Sequence, residues 1–326
     1  MKRTAFLTLG VAAALAVKMA AAAPLYTDDF NTAASAANYN LVQFGTNAVS
    51  FAYDYSVMGI PPAPNTTDAS TLGVKFESNH IQPAAAAAVT LHTNQSFSGS
   101  YKVKFDAWIN ANGPFPGGGT GSTEFLTAGV GGDGTTVNRS GATGSGGWTA
   151  VDGEGGSGVD YRLLRGAALQ GLASAGTTYA AGSQAASNAY YLPLNPSGVD
   201  VSLLPVQGAG NGGPAQQTGT TIAGTFGFAW HQVELAVDET GGTGGAALLT
   251  WKIDGLLIGT MDAGAGTAFS TNGRVTIGYT DPFASFSDNP LLSFGLIDNL
   301  VVVPEPTSLG LAGLAALAAL RIRRRW

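Results

Sequence analysis

The chain of 326 residues has no cysteine, only 3 histidines and only 11% charged residues, and each shortage removes a class of function. Without cysteine there is no disulfide framework, no thiolate nucleophile and no cysteine metal site. His80, His92 and His231 are widely separated and form no His-Glu-x-x-His pair, so they are expected as surface or cross-strand residues rather than as ligands. Between residues 23 and 303, eight Lys and Arg face twenty Asp and Glu, a formal net charge of −12. Nucleic-acid binding relies on clustered cations around phosphates and does not suit such a surface. Also missing are a long amphipathic helical pattern between the termini, a Gly-x-Ser-x-Gly elbow, a Walker loop and a Rossmann fingerprint.

What is present points to an all-β domain. Gly occurs 47 times, alongside much Thr, Ser and Val. The cleanest strand is YKVKFDAWIN, residues 101 to 110, with Tyr101, Val103, Phe105, Ala107 and Ile109 on one face. Its other face carries Lys102, Lys104, Asp106, Trp108 and Asn110, the period of two of a half-buried strand. Further strands are expected at 40–44, 49–55, 72–77, 87–92 and 161–164, and the run Pro61-Pro62-Ala63-Pro64 requires a rigid loop. Residues 112–122 and 129–158 are so rich in glycine that they read as long loops around one or two short strands, with little volume for a core. Residues 173–189 and 207–219 are low-complexity excursions of Ala, Ser, Gly and Gln.

The C-terminal third is more regular. Residues 226–238 alternate, 246–253 and 256–261 flank Asp254-Gly255, a two-residue signal for a type I′ hairpin, and 274–279 with 291–303 complete an antiparallel meander. Strands of this number and spacing favour an antiparallel β-sandwich or jelly roll in one domain, residues 23–303.

Both termini carry addresses. Lys2 and Arg3, an apolar run from Thr4 to Val17 and the small residues Ala20-Ala21-Ala22 make a signal peptide over 1–22, a substrate for signal peptidase with cleavage after Ala22. At the other end, residues 304–326 read PEPTSLGLAGLAALAALRIRRRW. Pro304 and Pro306 end the preceding strand, and the apolar run from Leu309 to Leu320 makes a helix of roughly 18 Å, shorter than a hydrocarbon core of about 30 Å. Arg321, Arg323, Arg324 and Arg325 then snorkel to the headgroups on the cytoplasmic side.

This triplet, short transmembrane helix and basic end resemble the PEP-CTERM sorting signal of Gram-negative bacteria, with Pro304, Glu305 and Pro306 as the sorting motif. The resemblance implies a membrane-embedded exosortase as partner, cleavage near the motif, a transient inner-membrane intermediate and an outer-surface or extracellular destination. It implies nothing about activity. A second resemblance lies in WHQVELAVDE, TWKIDGLLIGT and FGLIDNLVVV, which look like the closing strands of concanavalin A-like (laminin-G-like) jelly rolls. YTDDFNT, residues 26–32, resembles the first strand of such domains, which pairs with the last.

Site candidates are sparse. Laminarinase-type glycosidases on this scaffold carry Glu-x-Asp-x-(x)-Glu on one strand, and here Glu234 and Asp238 share a face while Ala236 takes the middle position, so the catalytic pattern is missing. Asp152, Glu154 and Asp160 have the flavour of a calcium loop but fail the EF-hand template. Asp28 or Asp29 with Asp298, near the paired terminal strands, suit a structural Ca²⁺; the alternative is capping or turn-bonded aspartates. Trp108 on the polar face of its strand suits a platform for a sugar ring, unless a loop covers it. The expectation is an exported structural or carbohydrate-associated binding protein of the envelope or extracellular matrix, with a polysaccharide-active hydrolase or lyase as the alternative. An ice-binding or adhesive surface would need a regular Thr array, which the sequence does not repeat.

Overall fold

The computed structural model describes residues 23–305 except 122 and 288. The signal peptide, Pro306, the apolar run and the cluster Arg321, Arg323, Arg324 and Arg325 lie outside the described residues. In chain order the strands are β1 (Tyr26–Asp28), β2 (Tyr39–Phe44), β3 (Asn47–Asp54), β4 (Leu72–Ser78), β5 (Ala87–Phe97), β6 (Tyr101–Asn110), β7 (Phe125–Gly132) and β8 (Gly147–Asp152). They continue with β9 (Tyr161–Arg165), β10 (Ala168–Gln170), β11 (Thr177–Tyr179), β12 (His231–Asp238), β13 (Leu248–Ile253), β14 (Leu256–Asp262), β15 (Gly273–Asp281) and β16 (Phe294–Pro304). Helix among the described residues is limited to short 3₁₀ segments, and none is long and apolar enough to cross a membrane.

The strands form two antiparallel sheets. The first runs β11-β14-β13-β12-β6-β16-β4-β3 with β1 added to β16, and the second runs β10-β9-β8-β7-β15-β5-β2. The fold is thus an all-β sandwich of the jelly-roll type, with the chain passing repeatedly from one sheet to the other. Alternation dictates the packing: β6 turns Val103, Phe105 and Ile109 inward, and β12 does the same with Val233, Leu235 and Val237. Against them the second sheet sets Val89, Leu91, Leu126, Val130 and Ile277. Each large side chain so buried contributes about 1.5–3 kcal/mol relative to exposure.

Two expectations need correction. β12, β13 and β14 do form a meander, but β15 leaves for the second sheet, between β7 and β5, and β16 returns between β6 and β4. The glycine-rich stretch 129–158 is loop around short strands, as expected, but it does supply core: β7 and β8 are completely buried in the middle of the second sheet, with Val130, Trp148 and Val151 inside. Glycine serves there by size. A Cβ at Gly129 would lie 2.5 Å from the Trp148 Cβ and 2.8 Å from the Thr276 hydroxyl, so β7 can approach its neighbours only without one.

Candidate functional site

The outer face of the second sheet is closed by the chain itself. Residues 133–146 lie over it, with the Thr136 carbonyl 2.9 Å from His92 Nε2 and the Asn138 amide donating to the Thr90 hydroxyl at 2.9 Å. Burial holds the His92 imidazole below its ordinary pKa. His231, by contrast, is an inward strand residue, 2.6 Å through Nδ1 from the Asp254 carboxylate.

The outer face of the first sheet is more informative. A second apolar cluster gathers Tyr55, Ile60, Trp108, Phe115, Val201, Phe228, Phe294 and Leu296, where the loops around residues 55–64 and 199–230 cover β6 and β16. Trp108 points away from the main core, as its position on the strand requires, but it is only 5% exposed. Its indole N–H donates to Asn110 Oδ1 at 2.5 Å, and its ring meets Trp230 edge-on at 5.8 Å. The structure therefore takes the sugar-platform role from Trp108, because the loops that build this cluster cover the ring. Trp230 is, with Tyr53, a partly exposed aromatic of the group, anchored by its N–H to the Pro61 carbonyl at 2.7 Å.

Beside this cluster two carboxylates face each other. Asp298 on β16 is in register with Asp106 on β6, and both are buried, at 1% and 0% exposure. Asp106 accepts from the Asn65 amide N–H at 3.0 Å, the Asn65 side chain at 2.6 Å and the Asn299 side chain at 2.9 Å. Asp298 accepts from the Asn299 amide at 2.7 Å, the Tyr55 hydroxyl at 3.1 Å and the Thr66 hydroxyl at 3.3 Å. Burial, with Asp106 adding like-charge repulsion, pushes the Asp298 carboxyl up to about 7. The Asp298-Asn299 pair of FGLIDNLVVV, with Asp106, thus anchors the loop that follows the prolines at 61–64 through Asn65 and Thr66.

Asn299 holds φ 54° at a bulge between Asp298 and Val301. Asn tolerates this left-handed backbone better than most residues. Asn299→Gly keeps the backbone and loses the two side-chain bonds, whereas Asn299→Ala loses both. The alanine variant is expected to be less stable than the glycine variant by about 1 kcal/mol, an order that urea unfolding would read.

Asp28 has its own donors: the Phe30 amide at 3.0 Å, the Ser35 hydroxyl at 2.7 Å and the Asn38 side chain at 3.1 Å. Asp29 accepts from the Asn31 amide at 3.1 Å. Asp28 and Asp298 share none of their hydrogen-bond donors. Among the described residues no group of three His, Asp or Glu side chains is placed to hold a metal ion.

Next to the bonded pair the surface opens into a cavity of about 420 Å³ lined by Asp28, Asp29, Asn65, Lys104, Gln232, Asn299 and Val301, among others. β12 and β6 place Gln232 opposite Asp106 and Glu234 opposite Lys104. Lys104 pairs with Glu234 at 3.2 Å, and Glu234 also meets Lys102 at 3.1 Å. Burial acts against ionisation of Glu234, but the two ammonium groups hold it below the usual carboxylate range. The cavity thus offers amides, carboxylates and one ammonium over the central strands of a sheet, a donor and acceptor set suited to hydroxyl groups. Sequence reasoning missed it because its walls come from five distant segments.

Comparison with known proteins adds an address. Residues 302–325 match the PEP-CTERM protein-sorting motif. No curated protein matches the chain. Solved structures similar to it include a protein of unknown function with a galectin-like fold from Bacillus subtilis, at 13% identity and a TM-score of 0.42, covering 87% of this chain and 97% of that one. Another is an endo-β-1,4-glucuronan lyase from the fungus Trichoderma reesei, at 10% identity, TM-score 0.38, and 87% and 92% coverage. A third is β-agarase A from Zobellia galactanivorans, at 10% identity, TM-score 0.40, and 85% and 89% coverage. Similarity at this level transfers none of their activities to this chain. Its C-terminal motif indicates export and membrane-associated sorting toward the cell surface, and implies processing by an exosortase.

Proposed function

We propose that this exported protein is a carbohydrate-associated binding module of the cell envelope or extracellular matrix, reached after removal of residues 1–22 by signal peptidase. The observation that carries the reading is the cavity beside β16, of a size usual for small ligands and lined by polar groups at a sheet surface. The acidic balance of residues 23–303 favours a neutral glycan over a polyanionic one, because like charges repel. Trp230, partly exposed, lies two residues before the cavity-lining Gln232.

A second reading, hydrolase or lyase, has one observation in its favour: Asp106 and Asp298 form an opposed carboxylate pair whose Asp298 carboxyl titrates near neutrality. Against it, both acids are buried and bonded to the chain's own donors, so a substrate would have to displace the loop carrying Asn65 and Thr66. Binding separates the two. Gln232→Ala removes a cavity amide whose side chain supports no fold contact described above. It should weaken retention of the bound polysaccharide about tenfold in affinity electrophoresis, with the melting temperature unchanged. Retention equal to wild type would move the site elsewhere. The motif also supports release from the membrane: mass spectrometry of the surface form should find Arg321 to Trp326 absent.

A further inference from the structure

The sorting motif begins inside the folded domain. Its matched region starts at residue 302, within β16, and β16 continues through Pro304, which pairs with Tyr101 of β6. One residue further, the Glu305 amide still donates to the Ser100 carbonyl at 3.1 Å. The Glu305 carboxylate lies 2.9 Å from Lys102 Nζ, and Lys102 is shared with Glu234 at 3.1 Å, which in turn holds Lys104 at 3.2 Å. The first two residues of the Pro-Glu-Pro triplet are therefore an extension of the sheet, with the central acid clamped in a ladder of alternating charges. Lys102 is only 22% exposed and Glu234 14%, so the ladder is partly shielded from solvent.

An enzyme that reads this motif must contact the Glu305 side chain and take the surrounding backbone in an extended, unpaired form. While Glu305 is bonded to Lys102 and Ser100, neither its carboxylate nor its amide is free for that. We propose that the β-sandwich restrains its own sorting: Lys102, steadied by Glu234, docks Glu305 on the first sheet, and the exosortase reaches the motif only after this end of β16 opens. Access then depends on the fraction of molecules with the terminal pairing released, as in other local openings of a native fold. Folding of the domain and departure from the membrane are coupled by one ion pair that lies outside the membrane-embedded part of the signal.

Lys102 allows a test that leaves the motif itself intact. In cells carrying the exosortase, the full-length chain is followed by pulse-chase, with precursor and processed forms separated by gel mobility. Lys102→Ala should shorten the precursor half-life about two- to five-fold, the range expected from losing a part-exposed pair, and Lys102→Glu should shorten it further. Lys102→Arg should retain the wild-type rate. An alanine precursor processed at the wild-type rate, or more slowly, overturns the proposal; slower processing would mean that Lys102 presents the motif instead of withholding it. Hydrogen exchange of the Glu305 amide in the detergent-solubilised full-length chain gives a readout independent of export. Exchange should quicken by a similar factor in Lys102→Ala, and unchanged exchange also overturns the proposal. Matching melting temperatures exclude general unfolding as the cause.

Discussion

Asp298→Asn is expected to make the protein more stable than wild type at pH 8, and by a smaller margin at pH 5. In the folded state the Asp298 carboxyl titrates at about 7, against 3.8 for an ordinary aspartate. Between those values the folded chain keeps a proton that the unfolded chain has released, so this group's contribution is full below about pH 4 and is lost as pH rises through 7. The difference of roughly three units corresponds to about 4 kcal/mol across the window. Asparagine carries no charge to desolvate, accepts from the Asn299 amide through its oxygen and donates to the Tyr55 and Thr66 hydroxyls through its nitrogen. Asp298→Ala behaves differently. It strands those donors beside Asp106 and should cost about 2–4 kcal/mol at pH 5, and less at pH 8 where the wild type already bears a buried charge. Glu124, Asp152 and Asp281 are pushed up by burial as well, so the wild type should lose stability steadily from pH 4 to pH 8. Thermal melts of the three proteins at both pH values check the sign. A wild type that gains stability over this range would contradict the account of the pair.

Trp251→Ala should be the most damaging single change in the main core. Trp251 is 1% exposed on β13 and faces inward to Tyr161 of the opposite sheet, at 6.1 Å between ring centres. Tyr161 stacks on Tyr191 at 4.3 Å and donates its hydroxyl to the Gly224 carbonyl at 2.6 Å. Tyr191 donates to the Ser183 carbonyl at 2.6 Å. One indole thus packs against a chain of rings that ties both sheets to the segments at residues 183–191 and 224. Its removal leaves a cavity that rigid neighbouring strands cannot fill, at a cost of about 3–5 kcal/mol. For a domain of this size that lowers the melting temperature by on the order of 10 °C. Trp251→Phe fills part of the space and should recover about half of the loss.

Much of the architecture was legible where it depends on local pattern. Residues 101–110 alternate cleanly, and β6 occupies that same span. Asp254 and Gly255 both take positive φ, at 50° and 79°, as a type I′ turn demands. β1 pairs with β16, as expected of the opening and closing strands. What local pattern leaves open is the identity of neighbours. Alternation placed Trp108 on the face away from the core, yet nothing in residues 101–110 states that loops from 55–64 and 199–230 will cover that face. The same holds for β15 and β16, which look like consecutive strands of one sheet and belong to two. The burial of β7 and β8 was hidden for another reason: glycine is a loop signal in sequence, whereas Gly129 is there because Trp148 and Thr276 leave no room for a side chain. At the site, Asp298 and Asn299 were visible as a motif, but their partners Tyr55 and Thr66 lie more than two hundred residues away in the chain. The sorting signal was legible because such a signal is read as linear sequence.

Binding without cleavage is the central claim, and one measurement addresses both halves of it. The full-length chain in detergent is applied to an array of neutral and acidic polysaccharides, and the chain length of every retained glycan is then measured after prolonged incubation. The account predicts retention of a neutral polysaccharide, weaker by about tenfold in Gln232→Ala, with glycan length unchanged. Progressive shortening of the glycan that disappears in Asp298→Asn would contradict it, and would make the buried carboxylate pair the catalytic centre of an enzyme.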